Sequence, residues 1–140
     1  MFKINKSIDE NNHRERQNLH FRIKISENMK IHKDLTLEHW FTFSIFEQLA
    51  NVGVDIERTI QWRKNNNFDY SQKAFERALE LLDFTIADPK NKKGILKEIL
   101  RVRETLIDHF VYDNEYKTTD EYWQKYFFDF NYAAAIARGK

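Results

Sequence analysis

Cysteine is absent from the chain, proline occurs once and glycine three times. Without cysteine there is no disulfide framework, no thiol nucleophile and no cysteine-ligated metal, and the reducing cytoplasm is the expected compartment. So few glycines and prolines leave too little turn chemistry for an all-β fold and suit long helices joined by a few loops. An excess of one charge is missing too: 23 basic against 22 acidic residues give a formal net charge of +1. No global field therefore draws nucleic acid or an anionic membrane to the chain. No apolar run approaches a transmembrane span, and the polar N-terminus lacks the apolar core of a secretion signal. Aromatic residues are abundant, with twelve Phe, six Tyr and three Trp in 140 residues, and must fill much of the core. That length suits one domain with one core.

Residues 1–35 differ from the rest. Phe2 and Ile4, then Phe21, Ile23 and Ile25, alternate with polar residues, His20, Arg22 and Lys24 taking the opposite parity. Period-two alternation predicts two short strands, a hairpin or extended appendage that belongs to the same domain as residues 36–140. From residue 36 the period changes. Thr36 is a plausible N-cap for one long helix from Leu37 to about Lys64, with Leu37, Phe41, Ile45, Leu49, Val52, Ile56 and Ile60 in one stripe that passes through Gly53. A second helix opens at Asp69 or Ser71, with Asp69 and Gln72 in capping-box spacing, and closes at Asp88 and Pro89.

The third helix lies within Gly94 to Tyr116 and is apolar over a wide arc. Ile95, Ile99, Val102, Leu106 and Phe110 form one stripe, and Leu96, Leu100, Ile107 and Val111 another, so it is expected at the centre of the domain. The fourth opens at Thr118, in capping-box spacing with Glu121, and turns Trp123, Tyr126, Phe127, Phe130, Ala133, Ala134 and Ala137 inward. The predicted fold is mainly α: an up-and-down four-helix bundle over residues 36–140 carrying the N-terminal appendage.

Two features point beyond the core. On the first helix Glu47, Asn51, Asp55, Arg58 and Trp62 share one side and form a candidate binding strip, although pairing among themselves explains them as well. On the last helix Phe128, Tyr132 and Ile136 recur every four residues on the far side, where a monomeric bundle should meet water, which predicts a homodimer interface, with a covering N-terminal segment as the alternative.

Chemistry is otherwise sparse. A di-iron bundle needs two Glu-x-x-His motifs on facing helices, and the only such spacing, Glu10 to His13, falls in the polar N-terminal segment. There is no His-Glu-x-x-His helix, no glycine-rich phosphate loop and no nucleophile elbow, so no metal or cofactor is called for. Nothing in the spacing unites Ser44 with His39 or His109 for hydroxyl catalysis. What remains is Arg103, Glu104, Asp108 and His109 in the run RETLIDHF.

An Arg followed by a polar residue, with His six positions on, late in a core helix of a small bundle, resembles the motif of the HEPN superfamily. That resemblance implies a homodimer whose facing motifs cleave RNA without metal, His109 moving a proton and Arg103 stabilising the phosphorane-like transition state. It equally implies a non-catalytic member that binds a protein partner such as an antitoxin. The run from Leu37 onward, with EQLANVG, KAFERALELLDFTIADP and WQKYF, is also similar to a family of small bacterial helical proteins, a resemblance that implies no mechanism. The residues themselves favour a plainer role. An arginine within an apolar arc should be buried against a carboxylate, for which Asp55 and Glu47 are the candidates, and a histidine near a helix C-terminus can satisfy closing carbonyls. From Glu104 to Glu121 six acids face one lysine, which opposes RNA there, while Lys90, Lys92, Lys93, Lys97 and Arg101 gather at the other end.

Overall fold

The computed structural model describes residues 35–139, among which there are five α-helices and no strand. The predicted hairpin of residues 1–35 lies almost wholly outside the described residues. The helices are α1 (Leu37–Phe41), α2 (Ile45–Lys64), α3 (Phe68–Ala87), α4 (Lys93–Phe110) and α5 (Asp120–Arg138). None of them is long and apolar enough to cross a membrane.

The helix expected from Leu37 to Lys64 is broken, and the break is at Thr42–Ser44 rather than at Gly53. Ser44 Oγ accepts from the Glu47 amide at 3.2 Å while Glu47 Oε1 accepts from the Ser44 amide at 3.2 Å. This reciprocal box satisfies two donors that a continuous helix would have bonded internally, and it outweighs a hydrophobic stripe that runs on unchanged. Gly53 stays helical because α5 crosses there. A Cβ at this position would lie 2.6 Å from Phe127 Cβ, so only glycine lets the two helices approach.

Cap positions also move. Asn67, not Asp69 or Ser71, opens α3 by accepting from the Tyr70 amide at 3.2 Å. Ser71 is buried and donates to the Thr59 carbonyl at 2.8 Å. Thr119 rather than Thr118 caps α5, and α4 ends at Phe110, short of Tyr116. The stop at Asp88 and Pro89 stands as expected.

The centre of the fold is α2, which packs extensively on both α3 and α5, and not the Gly94–Tyr116 helix, whose neighbour α3 touches it more lightly. Directions follow from the paired residues. Thr59 meets Ser71 and Gln48 meets Asp88, so α2 and α3 are antiparallel. Arg63 meets Asp120 and Glu57 meets Gln124, so α2 and α5 are too. Phe75 meets Phe110 and Arg103 meets Asp83 across α3 and α4, and Glu98 meets Tyr126 across α4 and α5, again antiparallel. Leu49, Val52, Ile56, Ile60, Phe75, Leu82, Phe84, Ile99, Val102, Leu106, Trp123 and Phe127 form the shared core.

A buried polar knot closes one end. Gln48 donates to the Trp40 carbonyl at 3.1 Å and to Asp88 Oδ2 at 2.8 Å, and Asn91 donates to Gln48 Oε1 and the Thr85 carbonyl, each at 3.0 Å. The Trp40 indole donates to Thr85 Oγ1 at 3.2 Å, and Lys90 bridges the Phe41 carbonyl and Asp88. The knot pairs these buried polar groups with one another and anchors short α1 to α2, α3 and the connection that follows α3.

Candidate functional site

The two motif residues sit on α4 with separate partners. Arg103 is half-buried rather than buried, and its Nε donates to Asp83 Oδ1 of α3 at 2.7 Å. This corrects the expectation of Asp55 or Glu47 as partner: Asp55 is met by Arg58 at 3.3 Å and Arg77 at 3.8 Å, and Glu47 is used in the Ser44 cap. Periodicity placed Arg103 on an apolar arc without saying which neighbour lay opposite, and α3 rather than α2 covers it. Burial pushes the Asp83 carboxyl up, with the Arg103 charge and hydrogen bond opposing that shift.

His109 has a side chain only 5% exposed. Its Nε2 lies 2.8 Å from Asp120 Oδ1 and its Nδ1 lies 3.0 Å from Thr118 Oγ1. The Trp123 indole also donates to Thr118 Oγ1, at 3.1 Å. Around this chain of bonds Asn114 and Thr118 exchange contacts, Asn114 Nδ2 donating to the Thr118 carbonyl at 2.8 Å and the Thr118 amide donating to Asn114 Oδ1 at 3.0 Å. Asp108 is buried and accepts from the Glu115 and Tyr116 amides at 2.9 and 3.0 Å. Thr118, His109 and Asp120 have the hydroxyl, imidazole and carboxylate order of a nucleophilic relay. Here the hydroxyl already accepts from an indole, so the arrangement ties the α4–α5 connection to both helices. Thr118 was missed in the sequence because a contact across the connection leaves no periodic signal; its approach to His109 depends on the tight turn that Asp108 organises.

The strip on α2 does not converge on a cleft. Asn51 donates to the Glu47 carbonyl at 2.9 Å, Asp55 is buried with its arginines, and Trp62 packs edge-on to Tyr70 at 5.0 Å between ring centres. Pairing within the strip joins Asn51 to the Glu47 carbonyl and Arg58 to Asp55, while Asp55 also meets Arg77 of α3 and the Glu47 side chain serves the Ser44 cap.

The outer face of α5 is open. Phe128, Tyr132 and Ile136 are 63%, 61% and 46% exposed, and Phe46 and Val54 of α2 add exposed apolar surface. Trp123 and Phe127 are buried and Tyr126 and Phe130 half-buried on the inward side, while Ala137, expected inside, is exposed.

On the other flank, α4, the α4–α5 connection and the start of α5 enclose a cleft of about 1300 Å³. Its lining includes Leu96 and Leu100, which are half-buried and also pack against the core, so part of the second apolar stripe of α4 borders this cavity. Along its wall Arg101 grips Glu98 through two bonds of 2.9 and 2.7 Å, and Tyr126 donates to Glu98 at 2.7 Å. The Arg101 hydrogen bonds hold the Glu98 carboxyl below its usual range against a smaller opposing effect of burial, with Tyr126 helping; burial and the Glu98 bond push the Tyr126 hydroxyl up. Among the described residues no group of three or more His, Asp or Glu side chains is placed to hold a metal.

Comparison with protein-family models, with curated proteins and with solved structures finds no match for this chain.

Proposed function

We propose that the chain is a cytoplasmic up-and-down four-helix bundle that acts as a self-associating interaction module through the outer face of α5. The observation that carries this reading is the exposure of Phe128, Tyr132 and Ile136 in one line. Burying each such side chain contributes roughly 1.5 to 3 kcal/mol, enough for three of them to favour association. Their even spacing suits a two-fold axis. With Tyr132 on the axis and the two helices antiparallel, Phe128 of one copy opposes Ile136 of the other, which gives the self-complementary contact that a two-fold dimer needs.

The metal-independent ribonuclease is the weaker reading. It requires Arg103 and His109 to converge on one phosphate, whereas Asp83 engages the first and Asp120 and Thr118 engage the second. Light scattering on the purified chain tests the favoured reading: the wild type should be a dimer and Phe128→Asp with Ile136→Asp a helical monomer. A wild type that stays monomeric at high micromolar concentration ends it. RNA cleavage without metal, lost in His109→Ala, would transfer the function to the α4 motif.

A further inference from the structure

Two of the four non-glycine residues with left-handed backbone among the described residues are Lys93, at φ 51°, and Lys117, at φ 54°. The other two are asparagines, which tolerate that conformation far better than lysine does. Lys93 opens α4 and Lys117 precedes α5, so the two come from different connections, yet both line the same cleft. Lys97 lines it as well, one turn along α4 from Lys93. None of the three ammonium groups has a carboxylate partner among the described residues. Glu98, the acid that adjoins Lys97 in the chain, is closed off by Arg101 and Tyr126.

We propose that this cleft binds a nucleotide, its phosphates at Lys93, Lys97 and Lys117 and its base against the exposed ring of Tyr122 and the apolar floor of Leu96 and Leu100. Three cations without a carboxylate partner among the described residues line one cavity, with Arg101 beside them and Glu98 and Glu104 as the acids of the same lining. Two of the three are held in a backbone conformation that the fold would otherwise avoid, and that excess of cations calls for an anion. The mixed wall calls for a ligand with a flat apolar part as well, since inorganic phosphate would leave the leucines and Tyr122 unused. A volume of about 1300 Å³ accommodates a nucleotide.

Titration calorimetry at low salt with ATP, pyrophosphate and adenosine tests this on the full chain. ATP should bind more tightly than either fragment, and its affinity should fall with added salt. Lys93→Gly with Lys117→Gly suits the backbone better, so the variant should unfold at no lower urea concentration while losing about tenfold in ATP affinity, equivalent to about 1.4 kcal/mol. Lys64→Gln with Lys73→Gln removes the same charge elsewhere and should leave affinity unchanged. Tyr122→Ala should weaken ATP and spare pyrophosphate. The proposal is overturned if millimolar ATP gives no heat, if the two lysine pairs lose affinity equally, if pyrophosphate binds as well as ATP, or if single-stranded RNA displaces ATP at far lower concentration.

Discussion

At Asp83 and Arg103 a carboxylate and a guanidinium share a site that is mostly out of water, and burial of the acid is the stronger influence on its pKa. A carboxyl whose pKa is raised by folding favours the protonated form, so its contribution to stability is greatest below the ordinary aspartate pKa and declines as pH rises through the folded value. Arg103→Met removes the cation that limits this decline. We expect it to cost about 1 to 3 kcal/mol at neutral pH and less in acid. Urea unfolding at about pH 4 and about pH 8 checks it: the gap between the two should widen in Arg103→Met and narrow again when Asp83→Asn is added. The arginine that looked like half of a catalytic pair thus has a measurable structural role. His109 behaves similarly. Its replacement by Ala should cost about 1 to 3 kcal/mol, because Asp120 and Thr118 both lose a partner. An unchanged urea midpoint would show that the tie at the α4–α5 connection does not stabilise the fold.

At the scale of elements, α2 and α5 are coupled by a missing side chain. Alanine is the better helix former by about 1 kcal/mol, so on α2 taken alone Gly53→Ala would stabilise. Against α5 the added methyl meets the Cβ of Phe127 at 2.6 Å, which is attached directly to backbone and cannot swing aside. The helices must separate, and overpacking of this kind costs typically about 1 to 3 kcal/mol, so the net effect should be destabilising. Thermal unfolding of Gly53→Ala decides the sign, and a raised midpoint would mean that α5 yields easily. The same contact gives a reason for glycine at position 53 inside an unbroken helix, while the break falls at Ser44. The Ser44-Ile-Phe-Glu47 box was present in the sequence, but a hydrophobic period that crosses it without a phase change hid it.

For the whole molecule, the two flanks of α5 point to different uses. Its outer face exposes Phe128, Tyr132 and Ile136, which the proposed dimer would bury, and its N-terminal turn borders the lysine-lined cleft. Placing charge on the outer face with Phe128→Asp and Ile136→Asp should therefore change mass in solution without changing ATP binding. Calorimetry on the monomeric variant checks that independence, and a joint loss would mean that assembly completes the cleft.

Local period alone determined that the described chain is helical, most of the residues that face the core, though not Ile95, Val111 or Ala137, which are exposed, and that the far side of α5 carries an unburied apolar line. Each of these depends on residues three or four apart, which the helix itself brings together. The partner of Arg103, the meeting of Thr118 with His109, the central place of α2 and the cleft lined by Lys93 and Lys117 were decided only by tertiary packing. Asp83 is 20 residues from Arg103, and Arg63 is 57 from Asp120. Such pairs form only once four helices have settled side by side, and no spacing along a single helix encodes which neighbour a polar side chain will meet.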